Sequence, residues 1–370
     1  MKIIYRYLIK EILVTSIMVL LILVFILICG QLMQYLSAIA KGQLTLGLLF
    51  KILSVQMPIL FSLLSPLGLF IGILLVYSRL YSQSEMVVMF AGGLSKLALL
   101  RFTLIFSLIV ALIVGFMVSF VNPNLEKQRE QLLFQAASTM LTQKILPGKF
   151  QSIDGGSQVY YAGSVSRDHK DMRNIFFARK LPPARGRHHS EGASWSIIVA
   201  QDTHQQQKDG KHFLVAENGY RYQGVPGSQD YQITHYKSYG FQLQTGLNRK
   251  KKENVRMMST IKLLPKAFSV NNYAGEFQWR LSVPIAVLLL GLFAVPLSEV
   301  NPRKGRFANL FAPLLFVILY INMLYISVNW ISEGVVPIIV GIWWLHLIMI
   351  LSIIIVTGRW LGWRFLGWRR

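Results

Sequence analysis

The stretch RLYSQSEMVVMFAGGLSK, residues 79–96, is a short amphipathic break between two long apolar runs, and the architecture of the whole chain is read outward from it. Arg79 closes one charge-free run and Arg101 opens the next, so this segment lies outside the hydrocarbon while still carrying apolar side chains. Met86, Val87, Met89 and Phe90 supply pliable apolar surface, and Glu85 is one isolated negative charge in a basic loop. Gly92-Gly93 is the stop signal of a short helix on which Glu85 and Met89 share a face. Two uses fit such a helix: it lies on lipid headgroups, or it docks into a cytoplasmic partner.

On either side, charge-free windows run over 12–40, 52–78, 102–125, 281–298, 307–332 and 334–358. Each reaches or approaches the ~20 residues a helix needs to cross ~30 Å of hydrocarbon, and the fourth does so with Trp279 anchoring its end. A mean hydropathy of +0.46 and only 15% charged residues place the chain among integral membrane proteins. Its single cysteine, Cys29, allows no internal disulfide. The net charge of +22 is therefore read by its placement rather than its sum.

With a cytoplasmic N-terminus, Lys2, Arg6, Lys10, Arg79, Lys96, Arg101, Arg303, Lys304, Arg306, Arg359 and Arg364 all fall on the cytoplasmic side, against Lys41 and Lys51 in the short outer turns. The positive-inside rule thus predicts both termini in the cytoplasm and the insert outside. The basic fringe suits anionic headgroups, and no nucleic-acid role is expected. Ala38-Ile39-Ala40 has the form of a signal-peptidase site, but the apolar run before it is too long for a signal peptide, so the first span is expected to stay.

The insert changes period. Residues 124–143 are helix formers that extend the third span until Pro147-Gly148. Alternation of period two then predicts short strands over 158–163, 174–179, 194–200, 211–216, 220–224 and 231–244, with Asp154-Gly155-Gly156, Asp209-Gly210, Asn218-Gly219 and Pro226-Gly227 as turns. In the last strand Tyr231, Ile233, His235, Lys237, Tyr239, Phe241 and Leu243 form one face. A sandwich or partly open barrel is expected. The basic stretches 180–190 and 248–253 read as solvated loops, and His188-His189 lack further ligands for a metal.

No GxxxxGK[ST], HExxH, CxxC or GxSxG pattern occurs, so the chain is not expected to hydrolyse nucleotide. Within the charge-free windows His346 is the only ionisable side chain besides Cys29 and the tyrosines, which disfavours ion-coupled transport.

RLYSQSEMVVMFAGGLSK at 79–96, EFQWRLS at 276–282 and VNPRKGR at 300–306, on six spans with a β insert after the third, resemble the LptF/LptG permease family of lipopolysaccharide export, and the N-terminal IIYRYLIKEIL is more like its LptF branch. The resemblance implies a membrane α-helical bundle of six transmembrane helices, 3+3, with an inserted all-β periplasmic β-jellyroll-like domain: residues 1–121 with a coupling helix at about 79–95, 122–278, and 279–370. It implies a non-catalytic subunit in the Gram-negative inner membrane, paired with an LptG-like permease, driven by an LptB-like ATPase dimer that uses ATP and Mg, and handing lipopolysaccharide to an LptC-like protein. The chain itself binds no cofactor or metal on this reading. Arg79, Tyr81, Glu85, Met86, Met89 and Phe90 would meet the ATPase, with residues 301–306 beside them, and Gln31, Gln34, Lys41 and Lys51 would stand near lipid headgroups. Family members often carry basic residues where this chain has Gln31 and Gln34. The competing expectation is an envelope lipid- or glycan-modifying enzyme, using an acid/base pair among Asp154, Asp168, Asp171 and the histidines of the outer domain.

Overall fold

The computed structural model describes residues 2–40, 44–143, 147–153, 157–166, 171–181, 194–208, 211–225, 227, 231–241, 254–300 and 311–362, with the backbone alone at 2, 134–143, 153, 205–208 and 211–213. Lys41, Asp154, Asp168, His188, His189 and the 301–306 and 248–253 stretches lie outside these residues. Two compact units emerge: residues 1–34, 50–130 and 253–370, and residues 35–49 with 131–252.

The first unit is helical. In chain order it contains α1 (Lys2–Ala40), α2 (Leu46–Ser82), α3 (Glu85–Ala91), α4 (Lys96–Phe116), α5 (Asn122–Gln143), the short α6 (Thr260–Leu263), α7 (Asn271–Leu297), α8 (Phe311–Glu333) and α9 (Trp343–Leu361), with the outer ends of α1 and α5 and the start of α2 assigned to the second unit. Six of the helical runs are long and apolar enough to cross a membrane. The two central ones are α2 and α7, whose apolar windows are 61% and 67% buried, against 22% for α1. Centrality follows from small residues. Gly72 of α2 leaves no room for a Cβ against Ser16 of α1, Gly68 sits tightly against Leu20 of the same helix, and Gly291 of α7 leaves no room against Ser107 of α4. Backbones approach this closely only where a side chain is missing.

Helix α4 runs through one π-helical turn, Met117–Val121, directly into α5. The cause is Pro123, which cannot donate to the carbonyl four residues back and pushes it aside. That freed carbonyl, Ser119 O, accepts from Thr260 Oγ1 at 2.6 Å. At the same end of the bundle α8 ends in a Schellman motif: Gly334 has φ 80°, its N–H donates to Ile331 O, and Val335 N–H donates to Trp330 O. The sixth span is consequently shorter than the charge-free window, because residues 334–342 are a turn and helix begins at Trp343. The fourth is longer: α7 starts at Asn271 and takes in Glu276 and Arg280, so charged side chains do lie within a spanning helix.

In the second unit β1 (Gln151–Ile153), β2 (Gln158–Val165), β3 (Asp171–Lys180), β4 (Trp195–Lys208), β5 (Lys211–Gly224) and β6 (Tyr231–Phe241) form one antiparallel sheet in sequential order. Neighbouring strands are about 4.8 Å apart, so a flat sheet would hold β3 and β6 roughly 14 Å from each other. Phe177 of β3 and Phe241 of β6 nevertheless stack at 5.2 Å. The sheet is therefore curled into a trough, with Tyr160, Ala162, Ile175, Phe177, Leu214 and Phe241 around a void of about 10 Å³, the size of one water. An inserted β domain is thus present, as one rolled sheet rather than two facing sheets.

A crease crosses that trough. Gly163, Asn174, Gln201, Asn218 and Lys237 fall on one transverse row and all drop out of the pairing, which resumes in the same register on either side. Asn174 and Asn218 adopt left-handed φ of 52° and 49°. At this row the inward set changes parity in every strand: Met172 gives way to Ile175 and Phe177, Ala200 to Thr203, Ala216 to Gly219, and Tyr236 to Phe241. Because the strands shift together, one side stays apolar along its whole length. Two expectations are corrected here. Asn218-Gly219 is not a hairpin turn but lies inside β5, and Tyr231, Ile233 and His235 face outward while Tyr236 faces in. Gly219 is required at this place, since a Cβ would meet Val199 O and the ring of Tyr236. The bare backbone lets Tyr236 Oη reach across β5 and donate to Val199 O of β4 at 3.0 Å. Burial, then the neighbouring Tyr239, pushes the Tyr236 phenol up to about 12, so it stays a donor at neutral pH.

Candidate functional site

The 79–96 connector is a helix held at both ends. Ser84, at φ 63°, turns the chain out of α2, and seven residues of α3 follow. Gly93 at φ 95° ends it in a Schellman motif, with Gly93 N–H donating to Phe90 O and Leu94 N–H to Met89 O. Ser95 then caps α4, its Oγ accepting from Ala98 N.

The side chains sort differently from their sequence reading. Met86 is fully buried and Tyr81 is 5% exposed, both in the cluster that includes Leu8, Leu80 and Leu94. Neither can form a surface. Met89 and Phe90 are half-buried against the same cluster, and Phe90 tilts on Tyr81 at 6.3 Å. The apolar residues left in the open are Val87 and Val88, 58% and 69% exposed. The reason is periodicity over so short a helix: a face is set by which side touches the bundle, and Met86 lies on that side with Met89 and Phe90 three and four residues on.

Glu85 is not isolated. It accepts from Tyr7 Oη at 3.1 Å, while Arg79 Nη2 donates to Glu11 at 2.7 Å, so α3 and the end of α2 are both fastened to α1. Lys96 completes the fastening from α4, with Nζ 3.1 Å from Trp360 O, 4.8 Å above the Trp360 ring and 3.4 Å from Glu299. Ser78 Oγ donates to Ser298 O, which ties the end of α2 to the end of α7. Movement of α3 therefore meets α1 directly at Tyr7, and the helix ends that flank it carry contacts on to α7 and α9.

A second cluster sits on α7, in EFQWRLS. Arg280, 2% exposed, donates to Glu276 at 2.9 Å, to Thr260 Oγ1 at 2.8 Å and to the carbonyls of Val255 and Arg256. Thr260 passes the chain on to Ser119 O, the carbonyl freed by Pro123. Gln278 holds the 334–342 turn, donating to Ile338 O and accepting from Ile342 N, and Gly341 at φ 46° leaves the space for it. Ser282 bonds His346 Nε2 at 2.9 Å, and His346 Nδ1 bonds Tyr320 Oη at 2.8 Å. His346 is thus a satisfied member of a three-helix network. Alternate polar residues of one heptapeptide join α7 to the 255–260 piece, to the 334–342 turn and to α9, and each of these side chains has a hydrogen-bond partner.

Of the headgroup candidates, Gln34 and Lys51 are exposed and Gln31 is half-buried. Asp171 pairs in register with His204, which stands 3.7 Å from Glu217 on the exposed side of the sheet. Among the described residues no group of three His, Cys, Asp or Glu side chains is placed to hold a metal ion.

Residues 6–359 match the sequence profile of the lipopolysaccharide export system permeases LptF/LptG. The chain belongs to this family. Curated relatives called lipopolysaccharide export system permease protein LptF, from Escherichia coli K12, Escherichia coli O157:H7 and Shigella flexneri, are each 28% identical over 364 residues, 97% of this chain and 95% of theirs. In this LptF/LptG permease the connector and the EFQWRLS hub are two polar constellations of the helical unit. Sequence reasoning singled out both stretches but missed the role of the second. The signal was there in the i, i+4 spacing of Glu276 and Arg280.

Proposed function

We propose that this LptF/LptG permease is the non-catalytic membrane subunit that converts the nucleotide cycle of a cytoplasmic ATPase into the lifting of lipopolysaccharide out of the inner membrane's outer leaflet. Both termini and α3 face the cytoplasm, and the β unit stands in the periplasm. The partners are a second, LptG-like permease, an LptB-like ATPase dimer using ATP and Mg, and an LptC-like acceptor. The family supports this reading, and one observation carries the mechanical part: Val87 and Val88 are exposed on a seven-residue helix whose Met86 is buried in the helical core and whose Glu85 is bonded to α1.

On this reading Val87 and Val88 enter an apolar groove of the ATPase, with Glu85 near its rim. Movement of α3 is carried to α1 through Tyr7–Glu85 and Arg79–Glu11, and to α7 through Ser78 and Ser298. The trough receives acyl chains only once it widens, because its own aromatic side chains now fill it. Its outer strands β1 and β6 each present an edge for strand addition by the next β domain.

Val87→Ser/Val88→Ser tests the docking surface. The double variant should keep the fold, since both side chains are already exposed, and should lose most ATPase co-purification and lipopolysaccharide release. Normal values for both measurements would end the proposal.

A further inference from the structure

Residues 254–270, which lead into α7, serve none of the contacts above except as the seat of Arg280. They fold as the 3-10 turn Val255–Met257, then α6, then the 3-10 turn Leu264–Lys266. The elbow has three faces. Val255, Leu263 and Ala267 are buried inward. Ile261, Leu264 and Phe268 point away, 74%, 47% and 73% exposed. Arg256, Lys262 and Lys266 are exposed as well, and the stretch 254–275 contains no acid. Arg280 holds the piece rigid from beneath through Thr260 and the carbonyls of Val255 and Arg256.

We propose that residues 255–270 form an interfacial anchor in the outer leaflet, in which Ile261, Leu264 and Phe268 enter the acyl boundary while Lys262 and Lys266 meet the phosphates of anionic lipid headgroups. Three observations select a lipid surface over a protein partner. The piece leads straight into α7, a spanning helix, and Phe268 tilts on Phe277 of that helix at 6.1 Å, so it borders the hydrocarbon by covalent continuity. Cations alternate with the apolar residues, the arrangement that lets one side chain sink while its neighbour stays at phosphate depth. The charge is of one sign only, complementary to anionic headgroups. The anchor would fix the outer end of α7 against a lipid being drawn past it. Its leaflet rests on the orientation proposed above, whereas its insertion does not.

The test uses the full chain assembled with its partner permease and ATPase in lipid nanodiscs, on a Cys29→Ser background so that one thiol is labelled at a time. Spin labels at Ile261→Cys, Leu264→Cys and Phe268→Cys should be open to oxygen and shielded from a water-soluble nickel chelate, with Lys262→Cys reversed. A label at 268 that the chelate reaches would overturn the anchor. Lys262→Gln and Lys266→Gln should each lower the retention of phosphatidylglycerol over phosphatidylcholine by roughly fivefold in native mass spectrometry, and unchanged retention would remove the lysines from the proposal. Reaction of Lys262→Cys with an impermeant maleimide in intact spheroplasts reports the leaflet by itself. Labelling only after lysis would sink the orientation, while the depth at 268 would still decide the insertion.

Discussion

Arg280 shows how a buried charge is kept. Four acceptors meet its guanidinium, and the deletion of the side chain would leave Glu276 buried without its ion pair and two carbonyls unmatched. Arg280→Met is therefore expected to destabilise the helical unit by about 3–5 kcal/mol, read as a lowered thermal midpoint in detergent, and Arg280→Lys should recover only part of that because one ammonium cannot span the same acceptors. A midpoint unchanged in Arg280→Met would contradict the hub. Tyr7 makes the complementary case at the connector. Tyr7→Phe removes one hydroxyl at the link to Glu85 and leaves Val87 and Val88 in place. ATPase co-purification should persist while lipopolysaccharide release per ATP falls, which separates docking from transmission. Equal loss of both would show that the hydroxyl serves docking alone.

At the scale of elements, the crease explains where strand reading from the sequence stopped. The expected strands 158–163 and 194–200 end on it or next to it, 174–179 begins on it, and 211–216 and 220–224 are two halves of β5 divided by it. Alternation breaks at that row, and a broken alternation next to Asn-Gly is indistinguishable in sequence from a hairpin turn. Only the pairing on both sides shows that the chain goes straight on. Asn218 holds a left-handed φ of 49°. Asn218→Val should then cost about 1–2 kcal/mol and accelerate amide exchange in β5 and both of its neighbours, whereas Asn218→Gly should be tolerated. If the valine variant exchanged like the parent, the crease would be incidental to the sheet's stability. The connector α3 repeats the lesson. Its Gly stop was legible, but its extent and its exposed face were not: residues 79–82 belong to α2, and the choice between Met86 and Val87–Val88 is made by the cluster around Leu8, Tyr81 and Leu94.

For the whole molecule, two compact units divide the work that the proposal assigns. The helical unit joins the end of α2, which leads into α3, to the end of α7 through a buried hydrogen bond, and the β unit keeps its apolar trough shut with its own rings. A photocrosslinking side chain in place of Phe241, which lines the trough, should capture lipopolysaccharide in the assembled complex when ATP is supplied and not without it. Capture independent of ATP would mean that the trough opens without the nucleotide cycle.

Spans, charge bias and the β character of the insert were determined by the sequence by itself, because hydrocarbon thickness and strand pleat impose their periods on any chain that meets them. Three features were decided by tertiary structure alone: the burial of Met86, the matching of Arg280 to two carbonyls and to Thr260, whose hydroxyl in turn meets the carbonyl released by Pro123, and the parity change shared by five strands. Each depends on what stands opposite a residue, and opposition across a fold is a property of several segments at once.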